Sequence, residues 1–153
     1  LPLARPVKFA LVAFVLAALA VVAGGMIYLA TERVRLTDDP LALTSADEVR
    51  AACEVLIDRS LSRGGSHIKS QFQLEVTLVA LRDDRSKLEP QAAHALLADL
   101  YDRIAERVTA PEAANREEML AVLSAARPTA DDPALLDRYQ QALAKHGIAA
   151  VAN

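Results

Sequence analysis

From Phe9 to Ala30 the chain runs 22 residues without a charge, and its only polar side-chain group is the Tyr28 hydroxyl. Coiled as a helix at about 1.5 Å per residue, that run reaches roughly 33 Å, the thickness of a bilayer's hydrocarbon core. Backbone polar groups in lipid must pair within their own segment, which selects a helix. Arg5 and Lys8 precede the run, and Tyr28, Thr31, Glu32, Arg33 and Arg35 close it, the charged heads and aromatic ring expected at two interfaces. The run exceeds the roughly 7–15 apolar residues of a cleavable signal peptide. The pattern therefore predicts a short basic stub over 1–8 and a retained transmembrane helix over 9–30.

The pattern then changes. Residues 31–44 are charged and include the turn signal Asp38-Asp39-Pro40, so they read as a linker. From Ser45 onward apolar residues recur at spacings of three and four, which predicts a helical domain over 45–153. Ser45 and Glu48 form a capping-box sequence ahead of Val49, Ala52, Cys53, Leu56, Ile57 and Leu61, and Gly64-Gly65 ends that helix. Pro90 suits the first turn of a second long helix, with Ala93, Leu96, Leu97, Leu100, Ile104 and Val108 inward. Thr109-Ala110-Pro111-Glu112 reads as a further capping box, opening a helix through Met119, Leu120, Val122 and Leu123 that Arg127-Pro128 stops. Asp132-Pro133 opens the last helix, with Leu135, Leu136, Tyr139 and Leu143 inward and Gly147 at its end.

Residues 70–81 support two readings. Phe72, Leu74, Val76 and Leu78 alternate with polar residues as in a strand. Ile68, Phe72, Val76 and Val79 also fit one helical face, with Leu74, Leu78 and Leu81 on a neighbouring one. A strand needs a partner and the rest of the chain offers none, so the expectation is helix; the alternative is a strand paired with another subunit. The fold class expected is all-α: one N-terminal transmembrane helix, then a bundle of about four to five short amphipathic helices.

Within the anchor, Ala10, Ala13, Ala17, Ala20 and Gly24 follow spacings of 3, 4, 3 and 4 and stack on one side. Small residues let a second helix approach closely, which is what drives association in lipid. This stripe is the expected packing face, opposite the bulkier Leu11, Val15 and Val22. No ionisable side chain lies in the run, which argues against ion or proton conduction.

Charge narrows the partners. After residue 30 the chain holds 20 acidic and 15 basic side chains, and no basic cluster with interleaved aromatics occurs, which excludes nucleic acid as an expected partner. Arg outnumbers Lys 13 to 4 and alanine abounds, a composition associated with GC-rich bacterial genomes. The flanking Lys and Arg counts tie, but a basic stub before a first hydrophobic segment favours a cytoplasmic N-terminus. The expected location is the bacterial inner membrane with the domain in the periplasm.

Candidate chemistry is sparse. Cys53 is the only cysteine and sits at an apolar helical position, which favours an inert buried thiol. His67, His94 and His146 fall in three different elements without metal-ligand spacing, and paired acids such as Asp83-Asp84 fall at turns and helix starts. No Gly-rich phosphate loop, nucleophile elbow or zinc-protease motif is present. Phe72, Leu81, Leu88 and the helix after Pro90 resemble the small accessory subunits of bacterial membrane-bound flavin sugar dehydrogenases. Arg82-Asp83 stands where that family has Thr-Gly, and the resemblance covers too short a stretch to assign the family. No cofactor, metal or small-molecule substrate is expected. The expected function is a non-catalytic single-pass accessory subunit of a multi-subunit membrane complex, its anchor on a partner helix and its domain on an extramembrane subunit. The alternatives are an assembly factor or adaptor that binds clients transiently, and an enzyme whose site forms only in space.

Overall fold

A computed structural model of the chain describes residues 15–22 and 39–149. The chain forms two compact units, Leu1–Asp38 and Asp39–Asn153. In the first, residues 15–22 are helical and exposed. Among the described residues no helix is long and apolar enough to cross a membrane. Most of the expected anchor over 9–30 lies outside them.

In the second unit every element among the described residues is helical. A 3-10 turn at Pro40–Ala42 leads to α1 (Ala46–Ser60), α2 (His67–Arg82), α3 (Pro90–Thr109), α4 (Arg116–Ala125) and α5 (Pro133–Lys145). The stretch over 70–81 is thus helical, the form that needs no second strand. The 3-10 turn belongs to this unit: the Asp39 carboxylate accepts from the Leu41 N–H, Pro40 is buried, and Lys87 Nζ donates to the Ala42 carbonyl.

Helix α3 is the hub and packs against α1, α2, α4 and α5. Its stripe Ala93, Leu96, Leu97, Leu100, Ile104 and Val108 is sealed from solvent, with Tyr101 added. Around it close Val49, Cys53, Leu56 and Ile57 of α1 and Leu74, Leu78 and Leu81 of α2. Met119, Val122 and Leu123 of α4 and Leu135, Tyr139 and Leu143 of α5 complete the core. Two aromatics brace the centre: Tyr101 and Tyr139 meet edge to face with ring centroids 5.0 Å apart, and the Tyr101 hydroxyl donates to the Ala126 carbonyl at 2.6 Å.

The helix ends correct two expectations. Ser45 occupies the N-cap of α1 but makes no side-chain capping bond, so the capping box with Glu48 does not close. Asp47 and Glu48 still lie in the first turn, where the helix dipole favours negative charge. Thr109-Ala110-Pro111-Glu112 does not open a helix. Pro111 disfavours helical geometry at the residue before it, and Ala110 is extended at φ −62° and ψ 141°, which ends α3 at Thr109. The Thr109 hydroxyl bonds back to the carbonyls of Ala105 and Glu106. Helix α4 starts later, behind Asn115 at φ 53°, whose amide donates to the Ser60 and Ser62 carbonyls and fixes the loop on the end of α1. Two other ends agree with the sequence: Asp132 caps α5 through the Leu135 N–H, and Gly147 takes the left-handed φ of +69° that follows a helix end.

Candidate functional site

Helix α2 is apolar on two opposite sides, and only one is covered. Leu74, Leu78 and Leu81 point into the core, whereas Ile68, Phe72 and Val76 are 69%, 67% and 43% exposed. The two sets are opposite rather than neighbouring, because Phe72 and Leu81 are nine residues, or about two and a half turns, apart. Within the 39–149 unit these three are the large hydrophobic side chains left exposed. A surface helix ordinarily carries one apolar stripe, turned to the core. The outward side of α2 is therefore the surface on which this unit departs from a closed core.

Cations precede and enter that helix along the chain. From Arg59 through Leu74 the chain carries Arg59, Arg63 and Lys69 and no carboxylate. All three are exposed, and among the described residues none forms an ion pair. His67 begins α2, its Nδ1 2.8 Å from the Gly64 carbonyl. Farther along the helix, Arg82 pairs with Asp83 at 2.7 Å and donates to the carbonyls of Ala125 and Arg127, which clamps the end of α2 to the end of α4.

The remaining charged groups are structural ties. His94 on α3 lies between two carboxylates, Nε2 3.2 Å from Asp84 and Nδ1 3.2 Å from Asp132. Asp132 also caps α5, so it ties α3 to the start of α5. Nε2 is buried and makes no hydrogen bond despite that distance, so the contact with Asp84 is one of charge proximity only. Among the described residues no group of three or more His, Cys, Asp or Glu side chains could hold a metal ion. Asp102 similarly binds Lys145 at 2.9 Å and His146 at 3.0 Å, joining α3 to the end of α5. The Lys145 hydrogen bond, then that from His146, hold its carboxyl below the usual carboxylate range. Cys53 is fully enclosed, and burial, then the nearby Glu54 charge, push its thiol up to about 12, so it stays a thiol at neutral pH.

Hollows of about 310 and 450 Å³ lie between α3 and α5. Alanines floor them, Ala95 and Ala98 in both, and Arg138 borders both. His94 and Asp132 line the larger, and Asp102 and Lys145 the smaller.

Of the expected anchor face, Ala17 and Ala20 lie on the described helical stretch and are exposed. Ala10, Ala13 and Gly24 lie outside the described residues. Sequence periodicity identified the apolar residues of α2 but not that they form two opposed faces; the signal was the nine-residue separation of Phe72 and Leu81, which is half a turn out of phase. No protein-family model, no curated protein and no solved structure matches this chain.

Proposed function

We propose that the protein is a non-catalytic, membrane-anchored accessory subunit of a larger membrane complex, its anchor on a partner helix and its folded unit on an extramembrane subunit. The 9–30 helix holds it in the bilayer and packs through Ala10, Ala13, Ala17, Ala20 and Gly24 on a partner helix. The folded unit lies on the periplasmic side of a bacterial inner membrane and is held in place through the outward face of α2.

The observation that carries this reading is the uncovered side of α2. Exposed Ile68, Phe72 and Val76 share one face with successive spacings of four, where an isolated soluble domain would place polar residues. The ties around His94 and Asp102 join helices to one another, as scaffolding does.

Purification in mild detergent tests the assignment. An accessory subunit co-purifies with its partners in fixed stoichiometry. Replacing Ala17 and Gly24 together with Leu adds bulk where helices are proposed to meet, keeps the segment hydrophobic, and is expected to release the protein. Val15→Leu with Val22→Leu, on the opposite side, is expected to leave it bound. Equal recovery of partners with both pairs would remove the anchor contact from the proposal, and substoichiometric recovery throughout would favour a transient adaptor.

A further inference from the structure

We propose that the corner where α1 turns into α2 rests on an anionic lipid surface, with Ile68 and Phe72 at the acyl boundary and Arg59, Arg63 and Lys69 at the phosphates. The inference rests on the anchored reading above and names what covers that end of the α2 face.

Three observations lead to it. The first is the pairing of exposed apolar side chains with cations. Ile68 and Phe72 are more than half exposed, and Arg59, Arg63 and Lys69 are exposed beside them in sequence with no ion pair among the described residues. Apolar residues beside basic ones are the composition of interfacial segments that bind anionic lipid. Of the flanking carboxylates, Asp58 pairs with Arg107, and Glu75 lies one turn beyond Phe72, so three cations face one half-exposed carboxylate at this end of α2. The second is the contrast with the rest of the unit. The chain beyond residue 30 is acidic overall, and without these three cations the balance is more acidic still. An anionic bilayer repels such a surface and attracts this corner, so the field selects the orientation.

The third is reach. If the span ends near residue 30, eight residues, 31–38, separate it from the folded unit that starts at Asp39. Fully extended, they cover at most about 28 Å. The unit is thus tethered beside the bilayer, where even a weak contact is populated, because the effective concentration of a short tether is high. Lipid at this end of the face is compatible with a subunit contact elsewhere on the unit: specific interfaces use about 20–30 residues a side, far more than Ile68 and Phe72 supply.

The test reconstitutes the full chain into vesicles with a spin label at Ser66→Cys. Ser66 is exposed and makes no side-chain capping bond, and fully buried Cys53 remains unlabelled. Gln140→Cys on α5 is the control, exposed on a helix that packs on α3. With phosphatidylglycerol in the vesicles, the Ser66 label is expected to lose contact with a water-soluble relaxation agent and gain contact with oxygen. In pure phosphatidylcholine it is expected to stay aqueous, as the Gln140 label does in both. Arg63→Gln with Lys69→Gln is expected to shift docking towards the free state by about fivefold per cation removed. A Ser66 label that stays aqueous in anionic vesicles overturns the proposal. Protection that is the same in both lipids and in the Gln variants also overturns it, and assigns the face to a second copy or to bilayer contact that needs no anionic lipid. Resistance to alkaline carbonate extraction, measured on the same vesicles, reports the anchor alone, so either idea can fail without the other.

Discussion

Tyr101 shows how a single side chain orders the core. It is completely enclosed, and its hydroxyl is the donor for the buried Ala126 carbonyl at the end of α4. Tyr101→Phe keeps the ring and its contact with Tyr139 but leaves that carbonyl without this donor, so a loss of about 1–3 kcal/mol is expected in urea unfolding. Burial also raises the Tyr101 phenol and the Cys53 thiol. Their stabilising contributions are complete below the unfolded values of about 10 and 8.5, and are lost as pH rises from there towards the raised folded values. Asp83 and Asp102 act in the opposite sense. Hydrogen bonds from Arg82 and Lys145 are the first cause of their lowered values, so their contribution is present above about pH 4 and lost as pH falls through the folded values. Both carboxylates are about a third exposed, so solvent screening keeps the acid effect small. Melting temperature is expected to be nearly flat between about pH 5 and 8 and to fall more steeply on the alkaline side.

At the scale of elements, the helices follow from their stripes, and what was hard to read lies at their ends. Ala93 through Val108 marked the buried side of α3 because a long helix with one apolar stripe has one way to face a core. Thr109 to Glu112 misleads because a capping box and a proline-terminated helix share residues; Ala110 resolves it, since the residue before Pro111 is driven out of helical geometry. Asn115 in the left-handed region could not be read locally, because its amide is held by the carbonyls of Ser60, the last residue of α1, and of Ser62 just beyond it, more than fifty residues away in sequence. The opposed faces of α2 escaped for a related reason: periodicity counts apolar positions, whereas exposure depends on which side the neighbouring helices take. Two substitutions separate these roles. Asp132→Ala removes the α5 cap and one carboxylate at His94, with an expected cost of about 0.5–2 kcal/mol. Phe72→Ser on the outward side of α2 is expected to change unfolding of the chain alone by no more than about 0.5 kcal/mol, against about 2–5 kcal/mol for Leu78→Ala on its inward side.

At the scale of the molecule, the account joins a hydrophobic run to a folded unit whose charge ties are structural and whose one conspicuous surface is apolar. The expected all-α class agrees with the described elements, while the small-residue stripe of the anchor rests on sequence spacing, with only Ala17 and Ala20 on the described helix. The central claim is that the outward face of α2 is covered where the protein works. Phe72→Cys measures this directly, because Cys53 is sealed and its thiol is raised, leaving position 72 as the reactive site. A membrane-impermeant maleimide, applied to spheroplasts and then to the purified chain in detergent, reads the coverage. The account predicts slow labelling in the membrane, at least about tenfold slower than in detergent, and fast labelling of a Gln140→Cys control in both, since a factor of ten requires only about 1.4 kcal/mol of protection. Equal rates at position 72 in membrane and detergent, with the control also reactive, would mean that the face is open to water in place and would contradict the account.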